Sequence, residues 1–228
     1  MRLGVFSDIH GNMDAFNEVI ASMELRSCDA YVFVGDICGY YYDQSAVIES
    51  HITLKNLYAV AGNHDRMFLR SLNDSRFAKE YEDSYGASFE FFRSKATMQM
   101  VNYIQSLPDR LELIDGKILV VHGSPNNPLD EYLYPDTDIE RLSALGYKTI
   151  ISGHTHYPMS RHTGSVHVIN PGSVGQPRDR KDPSWGLYDT DTDEFDVIRV
   201  QYDNTRLKQQ IFEIGEKNKY LLDILDRI

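Results

Sequence analysis

Cysteine is nearly absent: the 228-residue chain carries two, Cys28 and Cys38, and no CxxC pair. That excludes a disulfide framework and a thiolate zinc site, and it fits a reducing compartment. Long apolar runs are missing too, and none approaches the roughly 18–20 residues that a membrane span requires. The opening Met1-Arg2-Leu3-Gly4-Val5-Phe6-Ser7-Asp8 turns polar too soon for a secretory leader. The expectation is a cytoplasmic protein with no membrane role. Positive charge is in deficit, with 23 lysines and arginines against 34 aspartates and glutamates, a formal net charge of −11. Such a surface repels nucleic-acid backbones and anionic bilayers at long range. Long nucleic acids are therefore poor partners, whereas a small anion can still enter a locally positive cleft.

What is present is core material. With 42% hydrophobic and 11% aromatic residues, the chain can bury a substantial interior without disulfides or an obligatory partner. One domain spanning 1–228 is expected. Short apolar runs alternate with helical periodicity, which argues for an α/β sheet protein. Strands are expected at Leu3–Phe6, Ala30–Val34, Leu57–Ala61, Ile118–Val121, Thr149–Ile151 and Val166–Ile169, the last ahead of an Asn170-Pro171-Gly172 turn. A hairpin is expected to join Gly186–Tyr188 to Phe195–Val200. Asn12 is placed to cap a helix carrying Met13, Phe16, Val19, Ile20 and Met23. The aromatic stretch from about 71 to 107 reads as a pair of inserted helices. The tail from Asn204 is amphipathic, facing a core or a partner. Oligomeric state is not legible, although these last two segments offer surfaces for a homo-oligomer.

The residues after the strands carry the chemistry. The first strand ends in Ser7-Asp8-Ile9-His10, the second in Gly35-Asp36 and the third in Gly62-Asn63-His64-Asp65. The fourth ends in His122-Gly123 and the fifth in Gly153-His154-Thr155-His156. Five strands thus deliver metal-type ligands at their C-terminal ends, where α/β folds place binding crevices. Residues two apart on an extended backbone point the same way, so Asp8 and His10, and likewise His154 and His156, are expected to share a side. Imidazole, carboxylate and amide donors suit manganese, iron, zinc or nickel better than calcium or copper(I). His51, His162 and His167 fall outside every cluster, and ordinary packing or surface roles are expected of them. Cys38 reads as a small buried hydrophobe.

This order of short motifs resembles that of the calcineurin-like metallophosphoesterases. The resemblance runs from Asp8 to His156 and extends through Asn170-Pro171-Gly172-Ser173. Val121-His122-Gly123-Ser124-Pro125 and Gly175-Gln176-Pro177-Arg178 are similar to the compact prokaryotic-type branch. It implies two packed mixed sheets flanked by helices on both outer faces, and two divalent metal ions. Manganese is the expected metal, with iron, nickel or zinc admitted by the same donors. Asp8, His10 and His156 would hold the first ion, Asn63, His122 and His154 the second, and Asp36 would bridge them. His64 would face the substrate rather than bind metal. The loop Gly39-Tyr40-Tyr41-Tyr42-Asp43 is bulkier than the family pattern, which leaves the shape of the cleft open.

Two-metal chemistry then implies hydrolysis of a small phosphorylated substrate, a phosphodiester or also a monoester, by a metal-bridging hydroxide. His64 is expected to protonate the leaving group, with Asp65 as its orienting partner. Arg178 is expected either to fork onto the phosphate or to be a solvated member of the charged run Arg178–Lys181. The competing class is a non-catalytic binding scaffold on the same fold. No HxHxDH order, P-loop or GxGxxG fingerprint supports other hydrolases or nucleotide-driven engines.

Overall fold

The computed structural model describes residues 1–227. In chain order its strands are β1 (Arg2–Phe6), β2 (Ala30–Phe33), β3 (Leu57–Ala59), β4 (Arg110–Leu113), β5 (Ile118–Val121), β6 (Thr149–Ile151), β7 (Pro158–Thr163), β8 (Val166–Pro171), β9 (Ser184–Asp189) and β10 (Glu194–Arg199). They form two mixed five-stranded sheets, ordered β10-β9-β1-β2-β3 and β4-β5-β6-β8-β7. β1, β2 and β3 run parallel in the first, and β5, β6 and β8 run parallel in the second. The antiparallel strands sit at the margins.

Strand alternation sets the layers. Leu3, Val5, Val32 and Val34 of the first sheet meet Ile118, Val120, Ile151 and Ile169 of the second in one shared core. The intervening Leu119, Val121, Val166 and Val168 turn to the second sheet's other face. Every residue of β5, β6 and β8 is buried, as expected of parallel strands covered on both faces. Each such aliphatic side chain contributes about 1.5–3 kcal/mol on burial, so the central strands anchor the fold and hold their C-terminal ends rigidly.

The α-helices are α1 (Met13–Leu25), α2 (Gln44–Thr53), α3 (Asn63–Ser71), α4 (Ser75–Tyr85), α5 (Ser88–Arg93), α6 (Met98–Ser106), α7 (Thr205–Ile214) and α8 (Tyr220–Asp223). Asn12 caps α1 as expected, its side chain accepting from the Ala15 N–H at 3.1 Å. Helices α1 to α6 cover the outer face of the first sheet, through Phe16, Val19, Val47, Phe68, Phe92 and Ile104. The outer face of the second is covered by Leu133, Ile139 and Leu142, from a loop and the 3-10 helix Glu140–Leu145.

Several local expectations change. The stretch 71–107 holds three helices rather than two, because Gly86 ends α4, Ala87 and Ser94 bound the short α5, and Thr97 caps the start of α6. A further helix, α3, begins directly at Asn63. β8 continues through Pro171, and the chain turns only at Gly172, which has a φ of +81°. β4 and β7 escape sequence analysis because both are marginal strands with half-exposed, mostly polar residues. The tail's apolar face is covered within the chain. Leu207, Ile211, Leu221, Ile224 and Leu225 pack on Tyr40, Tyr41 and Tyr42, so the bulky loop is the tail's docking platform.

Candidate metal centre

The parallel strands of both sheets deliver their first post-strand residues to one place. Asp8 and His10 follow β1, Asp36 follows β2, and Asn63 opens α3 after β3. His122 follows β5, and His154 and His156 follow β6. All seven are buried, none above 8% exposed. They sort into two groups. In one, donor atoms of Asp8, His10 and His156 all lie within 4.8 Å of one another; in the other, those of Asp36, His122 and His154 do. Nε2 of His10 is 3.2 Å from Nε2 of His156, and Oδ1 of Asp8 is 3.2 Å from that His156 nitrogen. In the second group Nε2 of His122 is 3.2 Å from Oδ2 of Asp36 and 3.1 Å from Oδ1 of Asn63. The same Oδ2 of Asp36 is 3.8 Å from Nε2 of His10. One carboxylate oxygen therefore faces both groups.

The shared-side geometry arises differently from the expected extended backbone. Asp8, His10, Asp36, His154 and His156 have φ of +56°, +50°, +66°, +65° and +62°. That is the left-handed region, costly for residues with a Cβ and concentrated at functional sites. The chain folds back sharply after each strand, and hydrogen bonds hold the turns: the N–H of Asp8 donates to Gly35 O at 2.9 Å and that of His10 to Asp36 O at 3.1 Å. Close approach also requires glycine. A Cβ on Gly62 would lie 2.0 Å from Asp36 Oδ1, and one on Gly153 would lie 2.3 Å from Ser7 Oγ.

Hydrogen bonding orients the rings as metal ligands. Nδ1 of His10, His122 and His156 faces the carbonyls of Cys38, Val34 and Gln176 at 2.8, 2.7 and 2.6 Å. A carbonyl only accepts, so each Nδ1 carries a proton, and the neutral rings of His10 and His156 turn an Nε2 lone pair inward while Nε2 of His122 faces Asp36. Asp8 Oδ1 and His154 Nε2 are buried without a hydrogen-bond donor or acceptor to satisfy them. Buried orphans of this kind are costly unless something satisfies them. Burial lowers the pKa of His10 and His156, and that of His154 to about 3, so these imidazoles are neutral donors at pH 7. Burial, with Asp65 and Asp8 nearby, pushes Asp36 up to about 7 despite His122 beside it. Burial opposes the charge of His122, but Asp36 outweighs it and raises that imidazole to about 9. Inward lone pairs, crowded carboxylates and orphaned atoms fit divalent cations held by N and O donors.

His64 sits beside the ligands on the first turn of α3, 5% exposed. Its N–H donates to Asp36 Oδ1 at 2.8 Å, which aims the N-terminus of α3 at that carboxylate. Its ring partner is not Asp65. The Asp65 carboxylate accepts from the N–H groups of Gly62, Asp36 and Cys38 at 2.9–3.0 Å and locks the loops after β2 and β3 together. Nδ1 of His64 instead meets the Tyr81 hydroxyl at 2.8 Å. Tyr81 has no motif to mark it in the sequence, where it is one of three aromatics on α4. Arg178 is half-buried, with Nε unpartnered, and lies within electrostatic reach of Asp8, Tyr40 and Tyr132. It is not a freely solvated member of its charged run. Cys38 is buried and contributes backbone groups to the site.

Two packed mixed sheets with a buried nitrogen–oxygen ligand cluster at the C-terminal ends of their parallel strands define a metallohydrolase architecture. The model for the calcineurin-like phosphoesterase superfamily domain matches residues 1–193, and the chain belongs to that family. It is a metal-dependent phosphoric ester hydrolase. An uncharacterized protein of Methanocaldococcus jannaschii is 30% identical over 92% of this chain and 91% of its own length. Phosphodiesterase YfcE of Escherichia coli is 23% identical over 84% of this chain and 89% of its own. The crystal structure of a metallophosphoesterase from Sphaerobacter thermophilus covers 100% of this chain and 99% of its own, with a TM-score of 0.81 and 27% identity.

Proposed function

We propose that the chain hydrolyses small phosphodiesters, and secondarily monoesters, at a centre of two divalent metal ions. The observation that carries this is the placement of Asp36 Oδ2 between the two ligand groups, 3.2 Å from His122 and 3.8 Å from His10. Asp8, His10 and His156 would hold one ion, Asn63, His122 and His154 the other, and Asp36 both. Two such ions, manganese or else iron, nickel or zinc, supply Lewis acidity to the phosphoryl oxygens and acidify a water toward a pKa near 7. The family and the name of the YfcE relative support the phosphodiester class.

The chain's own side chains supply the rest. His64, with Tyr81 on Nδ1, presents Nε2 to the departing alkoxide, and its protonated ring would give the alkoxide a proton and return to neutral imidazole. Asn63 and Arg178 contact the phosphoryl oxygens; Arg178 retains an unused Nε–H for this contact. The formal charge of −11 penalises docking of long polyanions, which leaves small phosphorylated molecules as substrates.

The test is metal analysis of purified protein together with a panel of small mono- and diesters and duplex DNA. Two ions per chain, turnover lost on chelation and restored by manganese, and preference for small diesters are expected. At most one ion per chain at full activity overturns the binuclear reading. Metals bound without turnover of any ester would favour the scaffold.

A further inference from the structure

A second group of ligand-type side chains lies at the opposite end of the strands from the metal centre. His162 of β7 and His167 of β8 are direct register partners in the antiparallel pair, and Asp193 ends the turn between β9 and β10. Neither histidine belongs to a ligand motif in the sequence. The fold brings them together with Asp193, with donor atoms of all three within 4.8 Å of one another. The site spans both sheets, because β7 and β8 belong to one and the β9–β10 turn to the other.

The inner residues are held in place. His167 is 1% exposed, and its Nε2 lies 2.9 Å from Ser160 Oγ. Its Nδ1 lies 3.2 Å from Asp193 Oδ1, a separation typical of two ligands about 2.0 Å from one tetrahedral ion. Asp193 Oδ1 also accepts from the Tyr188 hydroxyl at 2.7 Å, and Tyr188 in turn meets Thr149 Oγ1 at 2.6 Å. Outer partners of this kind, a hydroxyl on the far ring nitrogen and a donor on the carboxylate, orient metal ligands. Burial lowers the pKa of His167, so its ring is neutral and free to coordinate at pH 7. His162 is exposed and stacks on His167 at 4.0 Å between centroids. An exposed ring changes rotamer freely on the nanosecond scale, so it can swing onto an ion held by the other two.

We propose that His162, His167 and Asp193 form a third, structural site for a zinc- or nickel-type divalent cation, which clips the β7–β8 hairpin of one sheet to the β9–β10 turn of the other. Two imidazoles and one carboxylate leave room for solvent in the remaining coordination position. Such a clip stabilises the fold in proportion to the logarithm of free metal over Kd. It takes no part in ester hydrolysis and stands whether or not the reading of the main centre is correct.

The experiment compares wild type with His162→Ala, an exposed replacement that leaves the core intact, and with Asp193→Asn as a second variant. Each protein is dialysed against the same buffered zinc, and bound zinc per chain and thermal midpoint are measured. Wild type should bind one zinc more than either variant, or bind the last equivalent at least about tenfold more tightly, a loss of the size that even outer-shell changes cause. The zinc-dependent rise in midpoint should shrink in both variants, and turnover of the manganese-loaded protein should not change. Equal zinc content and equal midpoint shifts in all three proteins overturn the proposal. An extra equivalent that both variants retain also overturns it, because the ion then sits elsewhere.

Discussion

Oη of Tyr81 lies 2.8 Å from Nδ1 of His64, and Tyr81 itself stacks face to face on Phe89 with ring centroids 3.5 Å apart. The α4–α5 unit therefore fixes the imidazole nearest the metal ligands. Tyr81→Phe should keep its metals and its stability to within about 1.5 kcal/mol, the range of one hydrogen bond. Turnover of a diester with a poor leaving group should fall by roughly tenfold, corresponding to about 1.4 kcal/mol. Steady-state rates with alkyl and nitrophenyl leaving groups check this; equal losses on both would remove the link to proton donation.

His64→Ala and Asp36→Ala should separate two kinds of damage. The first should retain both ions and lose on the order of 10²–10⁴-fold in kcat, less for acidic leaving groups. The second should empty or halve the centre, because Asp36 faces both ligand groups. Metal content and kcat measured side by side decide it. If His64→Ala sheds its metals, His64 is a ligand.

Asp65→Ala tests a bracing role rather than a proton-transfer role. Three backbone N–H groups, from Gly62, Asp36 and Cys38, would lose their acceptor inside the protein. Each unsatisfied buried donor costs about 1–3 kcal/mol, so a loss of at least about 3 kcal/mol is expected in chemical unfolding. A variant of normal stability with impaired kcat alone would restore Asp65 to the chemistry.

Gly62→Ala places a methyl group 2.0 Å from Asp36 Oδ1. The carboxylate must move, so metal affinity should drop while the distant β9–β10 hairpin is unaffected. Equilibrium dialysis against manganese measures it, and wild-type affinity would contradict the close approach.

His51 sets an acid limit on stability. It is buried against Phe33, and burial lowers its pKa to about 3. Unfolded, a histidine titrates near 6.5. Between those two values the unfolded chain binds the proton and the folded chain does not. Stability contributed by the neutral ring is therefore complete above about pH 6.5 and falls as the pH drops toward 3, by up to about 1.4 kcal/mol per unit. His51→Leu should reduce the slope of unfolding free energy against pH from 6.5 to 4 by up to one proton. An unchanged slope would show that His51 is protonated in the folded state.

The parallel strands and the polar residues at their C-terminal ends are legible in the chain's local pattern. β1, β2, β5 and β6 are buried on both faces or nearly so, which forces largely apolar runs that give way to Asp8, Asp36, His122 and His154. Local pattern sufficed there because burial of a central strand constrains every residue in it. The conformation and partners of those end residues were settled by packing instead. The left-handed turns at Asp8 and His10 arise from hydrogen bonds to the neighbouring β2 loop, not from the residues' own preferences. The bond between His64 and Tyr81 spans 17 positions and depends on how α4 docks. Asp65 had several acceptable partners, and the backbone donors of two loops claimed it first. Tyr40, Tyr41 and Tyr42 read as an anomaly until the C-terminal helices covered them. His162, His167 and Asp193 meet because the second sheet's edge hairpin and the first sheet's last turn reach the same end of the core. No periodicity encodes that meeting, since it depends on how the two sheets stack.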